Sequence, residues 1–354
     1  MGNQTKPMRQ ANIELLRFVC MALVVLCHLT KHQIGDYPVN GLLRHGLQAL
    51  TLMTSFHVDV FILITGYFGV RRNLKGLVSS LTMMLWYGVF LGLVKYWFTG
   101  GFDWESVLMP ITHSPWWFMR NYVYLILVAP FIELIVVSLK SRRDWIVLVS
   151  TMLFLNVYCS WLMEDKVLYH NDFSLFNFFT MYVVGSYVRY CLMSPTEDCK
   201  LVLNRLGGKS LFLILLLLMG LKLIIWVACA LYSVRCNIGG YDSFLTIPSA
   251  VVFFLLFQRT AIQPYKWIYF LSASCLSIYM ITDYKFVRLW LRDIYREGYE
   301  MVALNLPLAI TYTLVFFLCL LIVPVVIDQL RLRILPSLNK MLINKIEQFF
   351  KQYN

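Results

Sequence analysis

Charge is scarce in this chain. Asp, Glu, Lys and Arg make up 14% of its 354 residues, against 59% hydrophobic and 16% aromatic. A water-soluble domain of this size needs a surface of charged side chains, so the composition excludes one. Also missing is any pair of cysteines at CxxC spacing. The nine cysteines are scattered, with Cys20, Cys27, Cys191, Cys229, Cys275 and Cys319 inside apolar runs. Neither a disulfide framework nor a metal site is indicated by such spacing. No Pro/Ser-rich linker, long hydrophilic insertion or internal repeat interrupts the chain, so it reads as one membrane domain. The first apolar stretch lacks a small-x-small cleavage site and holds an arginine and a histidine, which is wrong for the core of a signal peptide. It is expected to stay as a helix.

What is present in abundance is long hydrophobic runs. Windows of about 20 residues, enough to cross the hydrocarbon core, lie near 12–31, 51–70, 76–98, 116–138, 145–162, 174–193, 210–231, 243–258, 266–282 and 303–327. The expected fold is an all-α polytopic transmembrane helix bundle of about ten spans. An even number puts both termini on one side. Alternate connections then divide the cations nineteen to eight: Lys6, Arg9, Arg71, Arg72, Lys140, Lys200, Arg205 and others fall on the termini's face, while Lys31, Arg44, Lys166, Arg235, Lys285, Arg288, Arg292 and Arg296 fall opposite. Cytoplasmic loops carry the excess, so both termini are expected in the cytoplasm and the protein in the cytoplasmic (inner) membrane. The formal charge of +12 therefore follows topology and does not indicate nucleic acid. Residues 1–327 form the expected membrane domain, and 328–354 a short basic interfacial tail with no catalytic role.

Three polar features interrupt the apolar pattern. In "NIELLRFVCMALVVLCHLTKH", Asn12 to His32, Arg17 and His28 are eleven residues apart, within about 20° of three full turns and about 16 Å along the axis. Glu14 lies one turn before Arg17, so the three share one helix face turned from lipid. A charge within a span costs roughly 2.5–3.5 kcal/mol, which favours a functional reading over a snorkelling Arg17 beside an interfacial His28. Next, "SFHVDVFILITGYFGVRR" brings His57 and Asp59 into the second span at the level of His28. Asp59 could cap that helix, or it or His57 could orient His28. Finally, "HSPWWFMRNYVYLILVAPFIELI" carries Trp116, Trp117, Arg120 and Asn121 into the fourth span, and "FLSASCLSIYMITDYKFVRLW" ends the ninth with Thr282 and Asp283. Trp116 and Trp117 alone would read as an aromatic belt. Together, four separate spans bring polar groups to one depth.

These segments resemble the integral-membrane acyltransferase-3 family. Its hallmark is an arginine and a histidine with ten residues between them in the first span, here "RFVCMALVVLCH" behind the acidic Glu14; "HVDVFILITGYF" is similar to its second-span signature, with Thr65 where serine is commoner, and "PWWFMRNYVYLILVAPF" to its tryptophan-rich fourth span. The "SIYMITD" segment has Thr282 where the family often has histidine, which shifts weight to Asp283. The resemblance implies transfer of acetyl, succinyl or related groups from a cytoplasmic coenzyme A thioester to an extracytoplasmic or lipid-linked sugar. No bound cofactor or metal is implied, the partners being acyl-CoA (acetyl-CoA for an O-acetyltransferase), the glycan acceptor and the bilayer.

The chemistry needs a base for the acceptor hydroxyl and a positive group for the oxyanion or the donor's phosphates. His28 is the expected base and Arg17 the second catalytic and donor-holding group. Glu14, His57 and Asp59 are expected to support them, Arg71 and Arg72 to meet the donor's phosphates, and Trp117, Arg120, Asn121 and Asp283 to face the acceptor. Such a site implies one continuous polar cavity with His28 at its constriction. The competing readings are a transporter or flippase using the same groups without covalent chemistry, for which internal repeats would be usual, and a membrane glycan polymerase.

Overall fold

The structure, a computed structural model, describes residues 10–70, 74–164, 174–193, 206–234 and 237–352. Arg71 and Arg72 lie outside the described residues, as do Lys6, Arg9, Lys166, Lys200, Arg205 and Arg235. Among the described residues every element is a helix. The chain begins with α1 (Ala11–His28), continued without a break by a π-helical stretch, Leu29–Ile34, that ends at Gly35 with φ at +49°. There follow α2 (Gly41–Met53), α3 (His57–Phe68), α4 (Leu74–Thr99), α5 (Trp104–Leu108), α6 (Trp117–Ser138) and α7 (Arg142–Leu153, with a π-helical continuation Phe154–Leu162). The second half comprises α8 (Leu175–Met193), α9 (Gly208–Leu231), α10 (Thr246–Arg259), α11 (Lys266–Ala273), α12 (Cys275–Asp283), α13 (Lys285–Glu300) and α14 (Leu306–Gln352). Local chemistry accounts for several boundaries. The Asn40 side chain caps α2 by accepting from the Leu42 N–H at 3.0 Å, and Ser141 caps α7 by accepting from the Asp144 N–H at 3.1 Å, supplying partners to amides that a helix start leaves bare.

Among the described residues, seven helical segments are long and apolar enough to cross a membrane: Ala11–Ile34, Gly41–Phe68, Lys75–Thr99, Trp117–Ser138, Arg142–Leu162, Gly208–Leu231 and Leu306–Ile346. The protein is a multi-pass membrane protein. The other three predicted spans fold as helices of a different kind. α10 has 14 residues, about 21 Å of rise against a core of about 30 Å. α11 and α12 are separate helices of 8 and 9 residues. α8 is 19 residues long but carries Asn177, Thr180, Tyr182 and Ser186, all buried. Its polar face points into the bundle, which lowers its hydropathy without exposing polarity to lipid.

The pattern of a soluble protein is inverted in α9. Leu213 is 64% exposed and Leu217 63%, while Lys222 is fully buried, as expected when the surroundings are hydrocarbon and polar groups must find partners inside. The Lys222 Nζ donates to Ser55 Oγ at 2.9 Å and sits over the Phe56 ring. α3 is the central element, packed against α1, α8 and α10, and it approaches α8 closely at Gly66 and Gly185. The predicted boundary at 327/328 falls within α14, whose Asp328 is buried and accepts from Tyr87 of α4 and Ser277 of α12.

Candidate active site

Two stacked cavities occupy the interior beside the polar face of α1. The first, about 320 Å³, is lined by His28, His57, Trp117 and Asp283 from the predicted set, together with Lys31, His32, Tyr241, Tyr279 and Arg288. The second, about 290 Å³, is lined by Arg17, Thr65, Ser79, Tyr122, Ser272, Cys275 and Arg331. Four helices contribute to both in a consistent order. On α1, His28 lines the first cavity and Arg17 the second; the corresponding pairs are His57 and Thr65 on α3, Trp117 and Tyr122 on α6, and Tyr279 and Cys275 on α12. The cavities therefore follow one another along the helix axes.

Phe61 and Phe118 line both cavities, with ring centroids 6.1 Å apart in an edge-to-face arrangement. Phe118 also stacks on Tyr122 at 5.8 Å and meets the edge of Tyr279 at 6.0 Å. Where one continuous polar cavity was expected, the structure has two that meet at the aromatic pair Phe61 and Phe118. Each Phe belongs to an apolar run where nothing distinguishes it from a lipid-facing residue. Their meeting depends on where the tertiary fold sets α3 and α6.

In the first cavity, His28 lies 5.2 Å from the His32 ring and 5.9 Å from the Tyr279 ring. The π-helical stretch begins directly after His28, and such local widening of the coil is frequent at functional sites. His57 is 2% exposed and presents its ring to the edge of Tyr241 at 5.9 Å, while Tyr241 stacks on Trp117 at 6.0 Å. The Nδ1 of His28 and both ring nitrogens of His57 are buried without a protein hydrogen-bond partner among the described residues. Buried polar atoms are nearly always paired, so three unpaired imidazole nitrogens at one cavity point to a polar ligand there. Asp283 pairs with Arg288 at 3.1 Å and faces the His32 Nε2 at 3.9 Å. Thr282 instead bonds back to the Ile278 carbonyl of its own helix.

Other predicted residues lie elsewhere. The Arg17 Nη1 donates to Glu14 Oε1 at 2.9 Å; Glu14 is buried behind the second cavity's wall. Asp59, fully buried, neither caps α3 nor touches His28: its Oδ1 accepts from Asn177 Nδ2 at 2.9 Å, and Asn177 Oδ1 accepts from Asn156 Nδ2 at 2.8 Å. Lys222 lies within electrostatic reach of Asp59. Arg120 and Asn121 are on α6 but line neither cavity, and Trp116 is buried with its indole donating to the Met280 carbonyl at 2.8 Å. Reasoning from sequence passed over Lys31 and His32, which stand in the first motif one turn beyond His28; Lys222, whose position inside a span was the available signal; and Arg331, which was assigned to the tail.

His28, His32 and Asp283 each offer one ligand atom within 4.8 Å of one another, a trio that could hold a divalent cation. The Asp283 carboxylate is already engaged by Arg288, and a cation on His28 would occupy the lone pair that proton transfer requires.

No curated protein and no solved structure matches the chain at a significant level. The acyltransferase-3 family model, described as an acyltransferase domain, matches residues 10–328, which takes in both cavities except Arg331. The chain belongs to the acyltransferase-3 family of membrane acyltransferases.

Proposed function

We propose that this protein moves an acyl group, acetyl in the simplest case, from a coenzyme A thioester on the cytoplasmic side to a hydroxyl of an extracytoplasmic or lipid-linked sugar. The observation that carries the reading is the division of one helix face between two cavities. His28 opens on the first and Arg17 on the second, about 16 Å apart by helix rise, a span on the order of the donor's pantetheine arm. A nitrogen of His28 takes the hydroxyl proton as the oxygen attacks the thioester carbonyl. The C–S bond then breaks, and the proton passes to the departing thiolate, so His28 ends neutral. Positive groups at the cavity wall, Lys31 and Arg288, favour the oxyanion that forms between these steps.

The acceptor side of the reading rests on the surroundings of His28. The stacked Trp117 and Tyr241 rings offer a flat face of the kind that sugar rings cover. A neighbouring cavity of about 460 Å³ shares His57, Lys31 and Tyr241 and adds Asp36, Gln48, Thr51, Ser55 and Asn237, groups able to bond many hydroxyls. His57 and Asp283 would orient the acceptor, with Arg120 and Asn121 supporting α6 behind Trp117. Glu14 holds Arg17, and Arg71 and Arg72 meet the donor's phosphates at the cytoplasmic surface, in keeping with termini in the cytoplasm.

The test is incubation of the purified protein with acetyl-CoA carrying a labelled acetyl group, with and without sugar acceptors. Transfer or slow thioester hydrolysis is expected, and His28→Ala should lose at least about 100-fold of it while inserting and expressing normally. Activity of His28→Ala within a few-fold of the wild type would remove His28 as the base. Silence of the wild type with every acceptor, joined by sugar movement across vesicles, would turn the reading to transport.

A further inference from the structure

Arg331 lies on α14, in the segment assigned by sequence to a tail and beyond the residues matched to the family. Its side chain reaches the wall of the same cavity as Arg17, although 314 positions separate them in the chain. Its orientation is held from behind. Nη2 donates to Asp328 Oδ2 at 2.8 Å, Nε donates to Asp328 Oδ1, and Nη2 also reaches the Ala273 carbonyl at 3.4 Å. Asp328 is in turn fixed by donation from Tyr87 and from Ser277, the latter at 2.7 Å.

The placement of the carboxylates matters as much as that of the cations. Glu14 pairs with Arg17 and Asp328 with Arg331, yet neither acid lines the cavity, both being buried behind the guanidinium that faces it. The wall therefore presents two planar cationic forks, with the hydroxyls of Ser79, Thr65, Ser272 and Tyr122 beside them. Planar forks match phosphate oxygens in pairs. A buried ion pair alone would tie α14 to α4 and α12 without requiring this exposure to a cavity.

Resting on the acyltransferase reading above, we propose that Arg331 and Arg17 together form an anion site in the second cavity, and that Arg331 binds the diphosphate of the nucleotide-bearing thioester donor. The donor's arm then runs from this site past Phe61 and Phe118 to His28. Arg331 is a binding residue on this account, and its contribution depends on the donor having phosphates.

The experiment compares acetyl-CoA with acetyl-pantetheine, which lacks the phosphates. Arg331→Gln should raise KM for acetyl-CoA on the order of 10-fold to 100-fold and leave KM for acetyl-pantetheine within twofold. Because Gln leaves Asp328 buried without its cation, the double variant Arg331→Gln with Asp328→Asn is measured alongside and should show the same donor-selective loss. In the wild-type protein, phenylglyoxal modification of Arg331, read by mass spectrometry, should be slowed by coenzyme A and not by pantetheine. Equal losses with both donors, or no loss, or labelling that coenzyme A does not change, overturns the site. If the wild type transfers from neither donor, the enzyme reading fails, and protection of Arg331 by coenzyme A still decides the anion site separately.

Discussion

Replacing Gly66 by alanine tests how closely α3 and α8 cross. A Cβ at Gly66 would stand 2.1 Å from the Tyr182 carbonyl oxygen, 2.8 Å from its carbon and 2.9 Å from its Cα. Ordinary contact is about 3.4 Å or more, so α3 and α8 must part by about 1.3 Å at this crossing. The obstacle is helix backbone, which cannot swing aside as a side chain would. The reverse contact is as tight, a Cβ at Gly185 standing 2.3 Å from the Leu63 oxygen, so the two glycines form a reciprocal crossing that small residues permit between membrane helices. Parting them stretches the Ser186 Oγ donation to the Gly66 carbonyl, now 3.2 Å, and the Asn177 donation to Asp59, now 2.9 Å. Overpacking a tight core costs about 1–3 kcal/mol, and backbone against backbone belongs at the upper end, about 3 kcal/mol. Gly220→Ala on α9 is the control, since nothing lies within 4 Å of its Cβ, and it should be neutral or stabilise by about 0.5–1 kcal/mol. Thermal unfolding in one detergent at one scan rate, which keeps irreversible melting comparable, should separate Gly66→Ala from both the wild type and Gly220→Ala. Coincident melting of all three would refute the close crossing.

Further outcomes follow from the same geometry. Arg17→Lys should be severely impaired in acyl transfer because lysine keeps the charge but loses the planar fork; near-normal turnover would reduce Arg17 to a charge or topology signal. Asp59→Asn can still accept from Asn177 but changes the electrostatics around the buried Lys222, so kcat should fall more than donor affinity, and an equal loss of coenzyme A binding would move Asp59 into the donor site. Phe118→Leu thins the aromatic wall between the cavities, so thioester hydrolysis should rise several-fold relative to transfer; an unchanged ratio of the two would show that the wall does not exclude water.

Helix content, membrane residence and the polar face of α1 were legible in the sequence, because each is written in local periodicity. The eleven-residue spacing put Arg17 and His28 on one face, and each does open on a cavity. Polar residues at one depth in separate spans were also legible, and His57, Trp117 and Asp283 do meet at the His28 cavity. The span count was less so: among the described residues seven helical segments are long and apolar enough to cross, while α10, α11 and α12 are shorter than a crossing needs, and hydropathy over a window does not show where a helix breaks. Tertiary structure alone decided that Asp59 would answer to Asn177 and Lys222, that Phe61 and Phe118 would divide the interior, and that Arg331 would stand beside Arg17. Each of these depends on which faces of distant helices meet and at what separation. That separation is set by contacts such as Gly66 on Tyr182, where a missing Cβ fixes the crossing, and no periodicity along a single helix encodes its partner.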